Sequence, residues 1–241
     1  MTAVPCAVLL AAGVGSRLGD DPTRPKPLLA LAGTSIGERA VMRLTDAGID
    51  RFVVVVGYQA ERVRAHFEDV AGRHRCALTV VHAADWALGN GASAAVAEAA
   101  AGGEPFLLAM IDHLFAPGMV ERMLAAAPGP DQVLLGIDRA VDRVFDLDDL
   151  TKVALDGDRI TAIGKELGAY DAGDTGLFYA TPALFAGLAA AREEQRYSLS
   201  DGVRKCIALR RMGAVDLTGF DWLDVDTPAA FREAERRLAA F

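Results

Sequence analysis

Short apolar runs alternate with amphipathic segments as far as Ile137, and this rhythm is the strongest constraint on the fold. Cys6–Ala11 is an apolar run that stops at glycine, and Phe52–Val56 is rich in β-branched residues. Such runs are typical of strands buried inside a parallel sheet. The segments between them, such as Thr34–Ala47, have helical spacing. Strands that alternate with helices predict a parallel sheet covered by helices on both faces.

The second half of the chain changes this rhythm. The Asp156-Gly157-Asp158 turn lies between two alternating runs and predicts a β-hairpin over residues 151–163. The remaining predicted strands are 78–82, 106–110, 133–137, 177–180, 212–217 and 222–225. The remaining predicted helices are 60–69, 91–101, 117–126, 182–192, 200–209 and 228–240, the last with Thr227 as its cap. No repeat or linker interrupts the pattern, so we expect one domain over residues 1–241.

Composition argues against several functional classes. A net charge of -8 and a pI near 5.0 disfavour nucleic-acid binding, which depends on clustered Lys and Arg. Three scattered cysteines, Cys6, Cys76 and Cys206, suggest neither a zinc site nor a disulfide framework and fit a reducing compartment. Apolar stretches are shorter than the roughly 18–20 residues that a membrane span requires. We therefore expect a cytoplasmic protein without stable membrane insertion.

A glycine-rich turn follows the first predicted strand. Residues 10–19 read LAAGVGSRLG, and residues 26–28 read KPL. Glycines let the backbone approach a ligand closely and present several N–H donors, which suits a triphosphate. Arg17 and Lys26 add positive charge where phosphoryl charge develops. The glycine spacing differs from the dinucleotide-binding fingerprint, and a Walker loop is absent from the sequence.

The whole string resembles the signature of the nucleotidyltransferases that activate sugars and phospho-alcohols. The resemblance implies a Rossmann-like three-layer α/β/α fold with a mostly parallel sheet and a β-hairpin elaboration in the C-terminal half. It also implies catalytic roles for Lys26 and Arg17 at the α-phosphate of an NTP. The implied nucleotide-binding residues of the turn are Leu10, Ala11, Ala12, Gly13, Val14, Gly15 and Ser16. Any one of these glycines taken alone is equally compatible with a turn required for packing.

A second loop resembles the base-reading loop of relatives that use CTP. Residues 89–93 read GNGAS, and an amide side chain with exposed backbone can recognise a pyrimidine edge. The resemblance assigns Asn90, Gly91 and Ser93 to nucleotide binding. An Asn-Gly turn that caps the following helix is the alternative interpretation.

Acidic residues at the ends of two predicted strands suggest a Mg²⁺ site. Asp112 follows an apolar strand, and ligands of open α/β sheets bind beyond the carboxyl ends of strands. Asp224 and Asp226 lie on the same side of an extended chain and could complete an oxygen-rich site with Asp112. Asp226 is the first choice and Asp224 the second; a turn and a helix start are the alternatives for these acids. His113 either contacts substrate or is a satisfied polar core residue.

Polar residues in the middle of the chain predict a site for a phosphorylated polyol. Lys152 and Lys165 flank the hairpin and could both reach one phosphate, unless they are simply exposed hairpin charges. Asp171, Asp174 and Thr175 could hydrogen-bond hydroxyl groups.

The order of these motifs resembles the inositol-1-phosphate cytidylyltransferases over nearly the whole chain. TKV at 151–153, IGK at 163–165, DTG at 174–176 and DVDT at 224–227 carry this likeness. It implies transfer of CMP from CTP to inositol 1-phosphate or a similar phospho-polyol, with release of pyrophosphate and formation of CDP-inositol. Residues of about 1–138 would bind the NTP, and about 139–241 the acceptor and the second metal ligand. Many relatives are fused to a membrane phosphotransferase, so a separate membrane CDP-alcohol phosphotransferase is the expected user of the product. A homodimer is compatible with the sequence.

Other functions remain as alternatives. A related pyrophosphorylase would act on choline phosphate, an aminoalkyl phosphonate or a sugar 1-phosphate, with CTP, UTP or GTP. Choline favours an aromatic cage, and only 7% of the residues are aromatic. A dinucleotide-dependent oxidoreductase lacks its glycine spacing here. A noncatalytic nucleotide-binding regulator would have lost Lys26 or the metal acids, all of which are present.

Overall fold

The computed structural model describes residues 5–18 and 25–241. Gly19, the last glycine of the LAAGVGSRLG string, lies outside the described residues, as does the rest of the 19–24 stretch. The strands are β1 (Cys6–Ala11), β2 (Ala30–Leu31), β3 (Thr34–Ser35), β4 (Arg51–Val56), β5 (Ala77–His82), β6 (Phe106–Met110), β7 (His113–Phe115), β8 (Val133–Asp138), β9 (Lys152–Asp156), β10 (Arg159–Gly164), β11 (Ala172–Ala180), β12 (Met212–Asp216) and β13 (Trp222–Asp224). The α-helices are α1 (Ile36–Asp46), α2 (Ala60–His74), α3 (Asn90–Ala95), α4 (Glu98–Ala101), α5 (Met119–Ala126), α6 (Ala183–Glu193), α7 (Leu199–Ala208) and α8 (Pro228–Arg236).

Nine of the described strands form one sheet, in the order β5-β4-β1-β6-β11-β8-β12-β10-β9. The strands β5, β4, β1 and β6 pair in parallel, as do β8 and β12. Between these two groups, β11 runs antiparallel to both of its neighbours. The β9–β10 hairpin extends the sheet at its far edge. The structure therefore confirms the mostly parallel sheet and the hairpin elaboration in the C-terminal half.

Helices cover both faces of the sheet because alternate strand residues point in opposite directions. Val8 and Leu10 belong to an apolar core that includes side chains of α3, α6 and α7. Leu9 and Ala11 belong to a second core that includes side chains of α1, α2 and α5. All four strand residues are at most 5% exposed. Burial on both faces explains why these runs are continuously apolar, and it confirms the three-layer α/β/α arrangement.

Several helix predictions need correction. The helix predicted over 60–69 continues to His74, and the helix predicted over 228–240 ends at Arg236. The helix predicted from Pro117 begins at Met119, because Gly118 adopts a φ of 85° that no helical residue has. The helix predicted over 91–101 is two helices, α3 and α4, with a break at Val96 and Ala97. The Thr227 prediction is confirmed, since its hydroxyl accepts a hydrogen bond from the Ala230 N–H at 3.1 Å.

Two strand predictions also need correction. The strand predicted from Leu177 begins five residues earlier, in a polar stretch that has no strand-like apolar pattern. The strand β7 was not predicted, and it pairs antiparallel with β13. That small pairing sets Asp224 opposite His113, and it brings the C-terminal acids to the end of β6. Across the described part of the chain, every helix is too short or too polar to traverse a lipid bilayer.

Candidate active site

The glycine turn at the end of β1 lies directly under Lys26. Gly15 has a φ of 70°, and a Cβ on it would lie 2.8 Å from the Lys26 Cβ. Only glycine therefore fits this contact. Lys26 is 6% exposed, and its Nζ lies 2.5 Å from Asp112 Oδ2 and also pairs with Asp226. One ammonium group thus bridges two carboxylates that are 114 residues apart in the chain.

Two strand contacts bring those carboxylates together. The strands β1 and β6 are parallel neighbours, and the Ile111 N–H donates to the Leu10 carbonyl at 3.3 Å. Asp112 therefore emerges beside the glycine turn. The Val225 N–H donates to the Asp112 carbonyl at 2.9 Å. This hydrogen bond holds Asp224 and Asp226, the two neighbours of Val225 in the chain, close to Asp112.

Arg17 links the glycine turn to two acids. Its guanidinium pairs with Asp226, and its Nη1 lies 2.9 Å from Asp149 Oδ2. Asp149 belongs to the segment between β8 and β9, and it also pairs with Lys165 at the end of the hairpin. Arg17 therefore connects residues from the beginning, middle and end of the chain.

Two clefts meet at these charged residues. The glycine-turn cleft is lined by Leu10, Ala11, Ala12, Gly13, Gly15, Ser16, Arg17, Lys26, Pro27, Trp86, Gly89, Asn90, Ser93, Met110, Ile111, Asp112 and Asp226. The acidic cleft is lined by a larger set that includes Asp149, Lys165, Asp174, Trp222 and Asp224. Both clefts share Arg17, Asn90, Met110, Asp112 and Asp226. Molecules bound in the two clefts would touch at the Asp112–Asp226 pair.

The structure brings most of the sequence-predicted nucleotide residues to the glycine-turn cleft, but not Val14 or Gly91. Gly91 is required for packing, because a Cβ there would lie 2.5 Å from the Ser198 carbonyl oxygen. Asn90 Oδ1 accepts a hydrogen bond from the Leu199 N–H at 2.7 Å, which ties this loop to the start of α7. Asn90 also lies where the two clefts join.

Of the predicted acceptor residues, His113, Lys165 and Asp174 line the acidic cleft. The other three do not line it. Lys152 lies over the Tyr170 ring, with its Nζ 5.3 Å from the ring centroid. Asp171 accepts a hydrogen bond from the Leu155 N–H at 2.7 Å, and the fully buried Thr175 hydroxyl donates to the Gly136 carbonyl at 2.8 Å.

The floor of the acidic cleft is a cluster of buried charges. Burial opposes ionisation of Asp112, but the Lys26 ammonium and a 2.9 Å hydrogen bond from His113 Nδ1 hold its pKa well below the usual range. Burial alone would lower the pKa of His113, yet Asp224 and Asp112 outweigh it and raise the pKa to about 9. The neighbouring carboxylates therefore favour the protonated form of His113.

The remaining floor carboxyls have raised pKa values. Burial raises the pKa of Asp174 to about 6, although the Gly176 N–H and His113 oppose the shift. Burial also raises the pKa of Asp224, where repulsion from Asp112 is opposed by His113. Buried acids with raised pKa values favour a cationic or hydroxyl-bearing ligand.

The donor set at the junction of the clefts fits a divalent cation. Asp112 and Asp226 already hold one cationic group, the Lys26 ammonium, between them. Among the described residues, the Oδ1 atom of Asp224 is buried and has no hydrogen-bond partner. Oxygens of Asp149, Asp224 and Asp226 lie within 4.8 Å of one another. Carboxylate oxygens are the ligands that Mg²⁺ prefers.

Sequence reasoning did not identify several residues of the two clefts. Asp149 lies in an irregular charged segment whose spacing gives no signal. Trp222 and Gly176 stood inside recognised motifs, but neither was assigned a role. Trp86 lines the glycine-turn cleft and packs on Gly57, where a Cβ would lie 2.6 Å from it.

Comparison with known proteins identifies the family. Residues 7–208 match the MobA-like NTP transferase domain. The chain belongs to this family. A "Bifunctional IPC transferase and DIPP synthase" of Rubrobacter xylanophilus is 36% identical over 96% of this chain and 51% of that protein. A "CMP-5'-(3-aminopropyl)phosphonate synthase" of Streptomyces rubellomurinus is 31% identical over 97% of this chain and 38% of that protein.

A solved structure agrees closely with this NTP transferase domain. The inositol-1-phosphate CTP transferase from T. maritima superposes with a TM-score of 0.87 and 26% sequence identity, covering 99% of this chain and 96% of that chain. The chain spans about half the length of the bifunctional relatives it matches. Because the superposition on the T. maritima structure covers 99% of this chain, it includes the residues of both clefts.

Proposed function

We propose that this NTP transferase domain transfers CMP from CTP to inositol 1-phosphate or a closely similar phospho-polyol, with release of pyrophosphate and formation of CDP-inositol. The observation that carries the proposal is the junction of the two clefts. Backbone amides and Lys26 line one side, and a cleft with buried acids and Lys165 lies on the other. Two phosphorylated substrates are therefore expected to meet at Arg17, Asp112 and Asp226.

The chemistry of the acidic cleft supports a polyol acceptor. Asp174 and Asp224 are buried acids whose pKa values are raised, and such carboxyls hydrogen-bond hydroxyl groups well. Trp222 adds an aromatic surface to the same cleft. The names of the Rubrobacter and T. maritima relatives support inositol 1-phosphate as the acceptor and CTP as the donor.

The proposed reaction is an in-line displacement at the α-phosphorus of CTP. An oxygen of the acceptor phosphate forms the new P–O bond, and the bond to the β-phosphate bridging oxygen breaks, so that pyrophosphate carries away the electron pair. The nucleophile is already ionised and needs no general base. Lys26 and Arg17 offset the charge that develops on the α-phosphate, and the glycine turn orients the triphosphate. Positioning and electrostatics then supply most of the rate.

Mg²⁺ dependence is part of the proposal. Asp112 and Asp226 would hold the ion, with Asp224 as the second choice for the C-terminal ligand. When bound, Mg²⁺ supplies charge neutralisation for the phosphate oxygens. The hydrogen bond from His113 orients the Asp112 carboxylate so that its other oxygen faces Lys26. Such outer-shell partners keep metal-binding carboxylates in place.

An aminoalkyl phosphonate is the second candidate acceptor. The Streptomyces relative supports it by name. The buried carboxyls of Asp174 and Asp224, whose pKa values are raised, would suit an ammonium group. A pyrophosphate-release panel separates the two candidates. It would combine CTP, UTP or GTP with inositol 1-phosphate, aminoalkyl phosphonates, choline phosphate, glycerol phosphate and sugar 1-phosphates. We expect the highest kcat/KM with CTP and inositol 1-phosphate.

Two substitutions test the assigned residues. Lys26→Ala and Asp112→Ala should each lower turnover by about 10²-fold or more, the scale of losing one key electrostatic contact. Lys205→Ala is the matched control, because Lys205 pairs with Glu194 on the surface and lines neither cleft. Near-wild-type turnover of both site variants would reject the assignment. Omission of Mg²⁺ and addition of a chelator should abolish turnover and leave folding, followed by circular dichroism, unchanged.

A further inference from the structure

Asp149 occupies the acidic cleft as an anion held between two cations. Its Oδ2 lies 2.9 Å from Arg17 Nη1, and its Oδ1 pairs with Lys165. The two cations come from distant parts of the chain, one from the turn after β1 and one from the end of β10. Each carboxylate oxygen is thus satisfied by a separate cation. This arrangement matches what two cations offer to the oxygens of a phosphate group.

The position of these cations suits the phosphate of an acceptor. Arg17, Asp149 and Lys165 all line the acidic cleft, and Arg17 also lines the glycine-turn cleft. The attacking oxygen of an acceptor must lie where the two clefts meet. A phosphate held by Arg17 and Lys165 would lie beside that junction, with the rest of the acceptor over the buried acids.

Charge opposes any acceptor that enters while Asp149 stays in place. The segment from Val141 to Asp149 contains four aspartates and one arginine, and Asp146 and Asp149 both line the cleft. A phosphorylated acceptor would meet like charge there, which weakens binding. The repulsion from Asp149 is relieved if the phosphate replaces the Asp149 carboxylate as the partner of Arg17 and Lys165, and the carboxylate turns to solvent.

The local structure allows that exchange. Residues 145–148 are exposed, and Asp149 is only half-buried. The next residue, Leu150, is 5% exposed and packs on Gly173, where a Cβ would lie 2.8 Å from it. Leu150 therefore anchors the segment to the core, and Asp149 can leave the cleft without disturbing that anchor.

We propose that Arg17 and Lys165 form the binding site for the acceptor's phosphate group, and that Asp149 occupies this site as an internal competitor until the acceptor displaces it. The identity of the acceptor rests on the proposed function. Half-exposed ion pairs compete only weakly, so Asp149 should reduce phosphate affinity by about 3- to 10-fold.

Binding of inorganic phosphate, measured by calorimetry without nucleotide, tests the proposal directly. Asp149→Asn should bind phosphate about 3- to 10-fold more tightly than wild type. Asp148→Asn makes the same charge change one residue away on an exposed side chain, and it should bind as wild type does. Adding Lys165→Gln to Asp149→Asn should abolish the gain. Asp149→Ala is a second variant, and the melting temperature of each protein establishes that it is folded.

The proposal is overturned if Asp149→Asn binds phosphate no more tightly than wild type, or if the gain persists without Lys165. In turnover, Asp149→Asn should lower the KM for the phosphorylated acceptor by a similar factor. A raised acceptor KM or a lowered kcat would instead make Asp149 a ligand of the acceptor or of a cation. Failure of the proposed function differs from both results. In that case wild type would release no pyrophosphate with any acceptor, whereas Asp149→Asn would still bind inorganic phosphate more tightly than wild type does.

Discussion

Replacing Gly176 with alanine tests how the floor of the acidic cleft is held in shape. Gly176 has a φ of 75°, and a Cβ on it would lie 2.5 Å from His113 Cδ2 and 2.6 Å from His113 Nε2. The His113 ring also lies parallel to the Trp222 ring, with centroids 6.1 Å apart. The ring therefore has little freedom to move away from an added methyl group.

Two costs make up the expected loss of stability. Alanine in a left-handed conformation costs about 1–2 kcal/mol, and lower entropy of the unfolded chain returns about 0.4–1 kcal/mol. Forcing a methyl group into a packed interior adds about 1–3 kcal/mol. Gly157→Ala isolates the first cost, because Gly157 has a φ of 63° and open space around its Cβ position. We expect losses of about 1 kcal/mol for Gly157→Ala and about 2–4 kcal/mol for Gly176→Ala.

Thermal unfolding and pyrophosphate release measure the two effects. For a chain of this size the melting temperature should fall by about 2–4 °C in Gly157→Ala and by about 5–10 °C in Gly176→Ala. Displacing His113 should also lower turnover by about 10- to 100-fold in Gly176→Ala only. The His113→Ala/Gly176→Ala double variant should recover part of the lost stability, because the overlap is gone. Equal melting temperatures and turnover for the two glycine variants would refute this account of the cleft.

Two further predictions concern stability away from the two clefts. Glu38 pairs with Arg73 and has a lowered pKa, chiefly because it accepts a hydrogen bond from that guanidinium. Its stabilisation is present above its ordinary pKa of 4.5 and is lost as the pH falls through the lower folded value. Glu38→Gln should therefore lower the melting temperature at pH 7 by about 2–4 °C, and the difference from wild type should vanish in stronger acid. Phe106 stacks on Phe185 with centroids 4.7 Å apart in the core, so Phe106→Ala should lower the unfolding free energy in urea by about 3–5 kcal/mol, whereas Phe106→Leu should lose clearly less.

The fold could be predicted because its strands are buried on both faces. Cys6–Ala11 and Phe52–Val56 must be continuously apolar when helices cover the two sides of the sheet, and this pattern is visible in one sequence. The strand β11 was only half predicted, because its first residues are polar and glycine-rich. Those residues pair with β8 across a bulge, where Thr175 donates to the Gly136 carbonyl. Tertiary contacts rather than local preference make that stretch a strand.

The charged residues where the two clefts meet could be named from motifs, but their neighbours could not. Lys26, Asp112 and Asp226 follow recognisable strings, and the ammonium does bridge the two carboxylates. Asp149 belongs to no recognisable motif. Its role depends on its contacts with Arg17 and Lys165, which come together only in the folded structure. Conversely, Thr175 and Asp171 stood in a suggestive string, yet their side chains satisfy backbone groups. A polar side chain in a motif can hydrogen-bond either a substrate or the backbone, and the sequence alone does not distinguish the two roles.

The two three-residue strands β7 and β13 explain why the acids converge at all. The strand at 222–225 was predicted, but β7 has only three residues, which is too short to show a period, so the pairing of the two strands was not predicted. Yet the register that sets Asp224 opposite His113, together with the Val225 N–H bond to the Asp112 carbonyl, brings Asp226 to Lys26. The glycine turn and Asp112 would lie side by side in any parallel sheet of this order, because β1 and β6 are neighbours. The position of Asp226 depends on this short ladder, so the Asp112–Asp226 pair is the part of the site most sensitive to changes in β13.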